Sequence, residues 1–192
     1  MKSKKEILPV IPPKEIVTGH PDAAVRLMMF GDYESEACSA ANEVVKQLLE
    51  KYDGRLNFVF RHFPLTRIHQ KAHKAAEAAI GAAQEGKFWE MHQQLFAHHH
   101  NLGIISLKSY AREVGVTDKK FLDHLINSDY GWFVQDDLKE GLKLGVTDIP
   151  VFFINEVRFE GTPNLKNLSA QIEEVLGKRK SRLVPVGQKK RA

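Results

Sequence analysis

The chain has 192 residues, 43% of them hydrophobic, enough to bury a full core in one domain, or in one domain carrying an insertion, without covalent staples. Its single cysteine excludes an intramolecular disulfide. The formal charge of +4 comes from a cluster: Lys178, Arg179, Lys180, Arg182, Lys189, Lys190 and Arg191 stand near the C-terminus, and without them the chain is slightly acidic, which fits a solvated tail and speaks against a nucleic-acid partner.

The opening stretch is basic (Lys2, Lys4, Lys5), then apolar from Ile7 to Ile11, but it is too short and too proline-rich for a signal peptide. No run approaches the length needed to span a membrane. The expectation is therefore cytoplasmic residence with no membrane partner. Residues 14–18 read as a short strand and Gly19-His20-Pro21-Asp22 as a turn. Ala24 to Phe30 is an apolar run that predicts a buried strand. It passes through Gly31-Asp32-Tyr33-Glu34 into a helix whose apolar positions, Cys38, Ala41, Val45, Leu48 and Tyr52, repeat with a 3.6-residue period and stop at Gly54. Ser35 and Cys38 therefore stand at a helix N-terminus, where unpaired N–H groups favour negative charge. Leu56 to Phe63 predicts the next strand and completes a β-α-β unit closed by Pro64-Leu65.

From about 67 to 145 the pattern is helical. Ala72, Ala75, Ala76, Ala79, Ile80 and Ala83 form one stripe, and Phe88, His92, Leu95, Phe96 and His99 the next. Shorter helices are expected over 107–114, 119–126 and 132–144. Val151 to Ile154 and Val157 to Gly161, joined at Asn155-Glu156, predict an antiparallel hairpin, and Thr162 with Pro163 predicts the start of a last helix. The element order is thus β-α-β, a helical block, then β-β-α. This is an α/β thioredoxin-like fold with an all-helical insertion: a thioredoxin-like domain over 14–65 and 146–177, an inserted helical domain over 66–145, and tails at 1–13 and 178–192.

Four stretches carry a family resemblance: Phe30-Gly31-Asp32-Tyr33-Glu34, Phe58-Val59-Phe60-Arg61-His62-Phe63-Pro64-Leu65, Gly86-Lys87-Phe88-Trp89-Glu90-Met91-His92, and Gly145 to Asn155 around Asp148-Ile149-Pro150. In this order they make the chain resemble the DsbA-like thiol-disulfide oxidoreductases from about residue 14 to 177. The resemblance implies protein-disulfide oxidoreductase descent, an extended polypeptide or thiol substrate, and a cis proline at Pro150 beside the site, with the backbone of Ile149 and Pro150 accepting the polypeptide as an added strand.

Where that family carries Cys-Pro-x-Cys, this chain has Ser35-Glu36-Ala37-Cys38. The first cysteine of such a pair attacks as a thiolate and the second releases it, and a serine hydroxyl forms no mixed disulfide. Dithiol cycling is therefore expected to be lost. Ser35 reads either as a helix N-cap, accepting from the N–H of Cys38, or as a catalytic group. Cys38 reads either as a small buried hydrophobe or as a monothiol, for which glutathione is the candidate co-substrate. Glu34 and Glu36 suit the helix dipole but disfavour a nearby thiolate. The histidines predict no metal site: His69 and His73 stand four apart without the glutamate of a zinc motif, and His98-His99-His100 fits a helix C-terminus. His69, His73 and His92 are expected at the edge of the core.

Overall fold

The computed structural model describes residues 11–183, with side chains described to 178. A 3-10 turn at Pro13–Glu15 leads into strand β1 (Val17–Gly19), β2 (Val25–Gly31), helix α1 (Glu36–Lys51) and β3 (Leu56–His62). Five helices follow: α2 (Ala72–Ala83), α3 (Phe88–Ala97), α4 (Ile104–Glu113), α5 (Phe121–Asn127) and α6 (Gly131–Lys143). Strands β4 (Val151–Ile154) and β5 (Val157–Arg158) and helix α7 (Leu165–Leu183) close the chain. The sheet order is β1-β3-β2-β4-β5, with β2 and β3 parallel and every other pair antiparallel. This is the mixed thioredoxin-like arrangement expected from the element order.

Because β3 is an interior strand flanked by β1 and β2, all seven of its residues are buried and its sequence lacks a clean polar alternation. On one face Leu27 and Met29 of β2, Phe58 and Phe60 of β3, and Phe152 and Ile154 of β4 pack with Val45 and Leu48 of α1 and Leu168 and Ile172 of α7. The same core runs on into the helical block through Ala75, Ala79, Met91 and Leu95. The other face has a smaller cluster of Phe30, Phe63, Val146, Val151 and Phe153. There α6 crosses the sheet so closely that a Cβ on Gly141 would stand 2.7 Å from Phe63 Cδ2 and 3.1 Å from Phe30 Cδ1. A buried ion pair holds it: Arg61 Nε donates to Asp137 Oδ1 at 2.7 Å, Arg61 Nη2 to Glu140 Oε2 at 2.8 Å, and the His62 N–H to Asp137 Oδ2 at 2.9 Å.

Several boundaries differ from the sequence reading. The last helix begins at Leu165, not at Pro163, because Asn164 supplies the cap: its Oδ1 accepts from the Asn167 N–H at 2.9 Å. It continues to Leu183, past the expected start of a tail at 178, while the rest of that tail and residues 1–10 lie outside the described residues. Pro13, expected in the first tail, is buried in the 3-10 turn. Strand β5 ends at Arg158, although the Phe159 N–H still reaches the Phe152 carbonyl at 2.9 Å.

Candidate functional site at the start of helix α1

The turn from β2 to α1 is built around the buried carboxylate of Asp32. Its Oδ1 accepts from the Glu34 N–H at 2.7 Å, and its Oδ2 from the Leu65 N–H and from His69 Nδ1, each at 2.9 Å. Glu34 Oε2 accepts from the Lys71 N–H at 2.8 Å. Two acidic side chains thus tie the turn to the loop that leads from β3 to α2. His69 joins the turn through Asp32, a role its i, i+4 spacing with His73 did not signal.

Ser35 has extended backbone (φ −84°, ψ 121°), and its Oγ accepts from the Cys38 N–H at 3.2 Å, the geometry of an N-cap. Cys38 lies one turn on, at 0% exposure among the core residues of α1. Burial pushes its thiol up to about 12; the Ser35 and Asp32 hydrogen bonds lower it by less, and the nearby carboxylates of Asp32 and Asp148 raise it least. At neutral pH the sulfur is a protonated, enclosed thiol.

Phe30 at the end of β2 pairs with Val151 at the start of β4, which places the Asp148-Ile149-Pro150 loop at the same end of the sheet as the start of α1. The Ile149–Pro150 peptide bond is cis, Ile149 and Pro150 are half-buried, and Ile149 packs against the hydrophobic clusters on both faces of the sheet. The Ile149 N–H is engaged locally, donating to Asp148 Oδ1 at 2.8 Å. Ser35, Cys38 and the Ile149–Pro150 loop, named separately from the sequence, therefore come together at one end of the sheet.

Behind the turn, a polar chain crosses the apolar core. Tyr33 Oη stands 3.0 Å from His92 Nδ1, His92 Nε2 3.0 Å from Asn42 Oδ1, and Asn42 Nδ2 donates to Gln93 Oε1 at 3.2 Å. A neutral imidazole satisfies this chain, with Nδ1 accepting from tyrosine and Nε2–H donating to asparagine. Burial holds His92 well below the ordinary histidine range, in keeping with that form. His92 is fully buried, not at the core edge where the sequence put it, because α3 faces both α1 and the sheet. His62 differs again: it is buried against Tyr33, Phe60 and Phe88, both its ring nitrogens lack a partner among the described residues, and burial with the neighbouring Arg61 charge lowers its pKa to about 3. Nothing in the sequence pattern marked it. His98 and His99 each place Nδ1 on a carbonyl of the last turn of α3, at 3.0 and 3.1 Å. Among the described residues, no group of three or more His, Cys, Asp or Glu side chains could hold a metal ion.

The fold has relatives. The oxidised BdbD of Bacillus subtilis superposes with a TM-score of 0.75 at 21% identity, covering 86% of this chain and 93% of that one. The alpha-DsbA1 of Wolbachia pipientis gives 0.74 at 23% identity, covering 87% and 93%. In sequence, the chain is 34% identical over 181 residues to the Na(+)/H(+) antiporter NhaA 3 of Salinispora tropica, which covers 94% of this chain but 27% of the antiporter. It is likewise 34% identical over 166 residues to the antiporter NhaA 1 of Salinispora arenicola, covering 86% of this chain and 25% of that one. The chain thus spans about a quarter of the length of these relatives.

These matches overturn the cytoplasmic residence expected from the sequence. That expectation rested on the lack of a signal peptide and of an apolar span, yet the same kind of segment occurs within chains named as ion antiporters, so those features of the segment do not assign a compartment. Among the described residues no helix is long and apolar enough to cross a membrane. A family model described as Thioredoxin matches residues 12–174, and with the fold above it establishes that the chain belongs to the thioredoxin family, in the architecture of the DsbA-like thiol-disulfide oxidoreductases.

Proposed function

We propose that this chain is a DsbA-like member of the thioredoxin family that has lost dithiol cycling and holds an extended polypeptide across Ile149 and Pro150. The observation that carries the reading is the state of its only thiol: Cys38 is fully enclosed, and burial pushes it up to about 12. Ser35 offers no replacement nucleophile, since its oxygen is committed to the helix cap and no base is positioned on it. The monothiol alternative, with glutathione attacking or attacked at Cys38, needs an accessible sulfur and gains no support from this geometry.

The loop keeps the features a strand-adding peptide would use, with one difference. Because the Ile149 N–H already donates to Asp148 Oδ1, an incoming strand meets a free carbonyl and an occupied N–H. The thioredoxin-like part, 14–65 and 146–177, supplies this edge, and the inserted helices over 66–145 supply the facing wall.

Two measurements on the same protein test the reading. Insulin reduction with dithiothreitol should stay at the background rate, and turnover well above it would overturn the loss of dithiol cycling. Titration calorimetry against a panel of unfolded peptides should show binding that survives Cys38→Ser. Asp148→Ala, which frees the Ile149 N–H for an added strand, should tighten that binding about tenfold, the effect of one hydrogen bond. The absence of binding in the wild type would remove the polypeptide role.

A further inference from the structure

Strand β5 closes the sheet order β1-β3-β2-β4-β5, so among the described residues no strand lies beyond it. Across the hairpin Ile154 pairs with Val157 and Phe153 with Arg158, and the Phe159 N–H continues inward onto the Phe152 carbonyl at 2.9 Å. Inward and outward groups alternate along an antiparallel ladder, so Arg158 and Glu160 turn their N–H and C=O away from β4, at the open edge. Val157 beside them is 70% exposed, and Gly161, at φ 105°, ends the extended run.

The side chains alternate as well. Phe159 packs on the core that contains Phe152, whereas Arg158 lies opposite Phe153 on the other face. Arg158 Nε stands 3.7 Å from Glu160 Oε1, which keeps Glu160 on that same face. The open edge therefore presents a base and an acid two residues apart. Charges on an edge strand ordinarily repel an added strand, but this arrangement fits its own copy in one register. In antiparallel pairing about a two-fold axis, the outward groups meet with Arg158 opposite the partner's Arg158, with Glu160 opposite the partner's Glu160, or with Arg158 opposite the partner's Glu160. The first two set like charges directly across from each other and are destabilised, whereas the third makes two Arg–Glu pairs, each exchanging both backbone hydrogen bonds. The segment after Leu183 suits the edge less, since Pro185 has no N–H to donate and no Asp or Glu follows to meet Arg158.

We propose that the β5 edge is an interface between two copies of the chain, paired antiparallel about a two-fold axis at Phe159, with Arg158 of each copy opposite the partner's Glu160. The paired run is short, so the contact is small and the dimer dissociates on dilution. It needs neither the Cys38 thiol nor a bound polypeptide, and it stands or falls independently of the function proposed above.

Sedimentation equilibrium on the full chain, without peptide and from micromolar to millimolar loading, tests it through charge reversal. The wild type should pass from monomer to dimer as concentration rises. Arg158→Glu and Glu160→Arg, each placing like charges at both symmetry-related pairs, should each raise the dimer dissociation constant about tenfold or more. The double variant R158E/E160R restores opposite charges and should recover dimerisation, with circular dichroism checking that each variant keeps the fold. Hydrogen exchange gives a second readout on the wild type: the Arg158 and Glu160 amides should exchange more slowly as concentration rises, while the Phe159 amide, already bonded to Phe152, should not change. A wild type that stays monomeric at every loading, single reversals without effect, or a double variant no better than the singles would each overturn the proposal. So would Arg158 and Glu160 amides protected in the monomer, which would mean that another part of the chain covers the edge.

Discussion

Ser35 and His62 show how differently two polar residues near one site are treated. The Ser35 hydroxyl satisfies an otherwise orphaned N–H at the start of α1, and removing such a cap costs about 1 kcal/mol. Ser35→Ala should therefore lower the thermal midpoint by a few degrees and leave peptide binding unchanged, as differential scanning calorimetry and titration would show. His62 has no such compensation. Among the described residues its buried ring has no partner for either nitrogen, each a cost of about 1–3 kcal/mol, so His62→Leu, similar in volume, should be neutral or stabilising at pH 7. Acid accentuates the contrast. His62 titrates near 3 in the folded protein against about 6.5 in an unfolded chain, so the unfolded state binds the extra proton and stability present above pH 6.5 is lost as pH falls toward 3. Urea unfolding at stepped pH should show a shallower acid loss in His62→Leu than in the wild type. An equal slope in the two proteins would mean that His62 is not the neutral buried group described here.

At the scale of elements, the crossing of α6 over the sheet is set by the glycine at position 141 and by the Arg61–Asp137 pair. A methyl group there would press on Phe63 and Phe30 ring carbons at 2.7–3.1 Å, and overpacking of this kind costs about 1–3 kcal/mol. Gly141→Ala should lower the urea midpoint despite the better helix propensity of alanine, whereas a raised midpoint would mean that α6 can move off the sheet at little cost. The element order, the parallel β2–β3 pair and every helix of the insert were legible in the sequence, because their apolar residues are periodic and the helices of the insert are bounded by Gly or Thr-Asp signals. What was not legible depended on contacts across the chain. The helix cap at Asn164 competed with an equally good Thr162-Pro163 start. The burial of His92 needed α1 and α3 to face one another, and the Asp32–His69 contact joins two loops whose separation in sequence gives no period. The shift from an N-cap serine to a core cysteine was readable, since the 3.6-residue repeat already turned Cys38 inward.

Across the whole molecule, a thioredoxin-family fold carries a single cysteine, and that cysteine is buried. The apolar core that stabilises the sheet is the same core that encloses Cys38, so reactivity at that thiol and packing of α1 oppose one another. Opening the helix end to expose the sulfur would disturb the Ser35 cap and the Asp32 contacts to Leu65 and His69 together. Location is the property least bound to this architecture, since similar segments occur within chains named as antiporters. The most direct test of the account is the rate of Cys38 labelling by a thiol-specific reagent, measured across pH in the native protein and again in urea. Native labelling should be no faster than global unfolding allows and should show no titration near the free-cysteine value of about 8.5, while the unfolded chain labels at once. Rapid native labelling with a pKa at or below that value would contradict it.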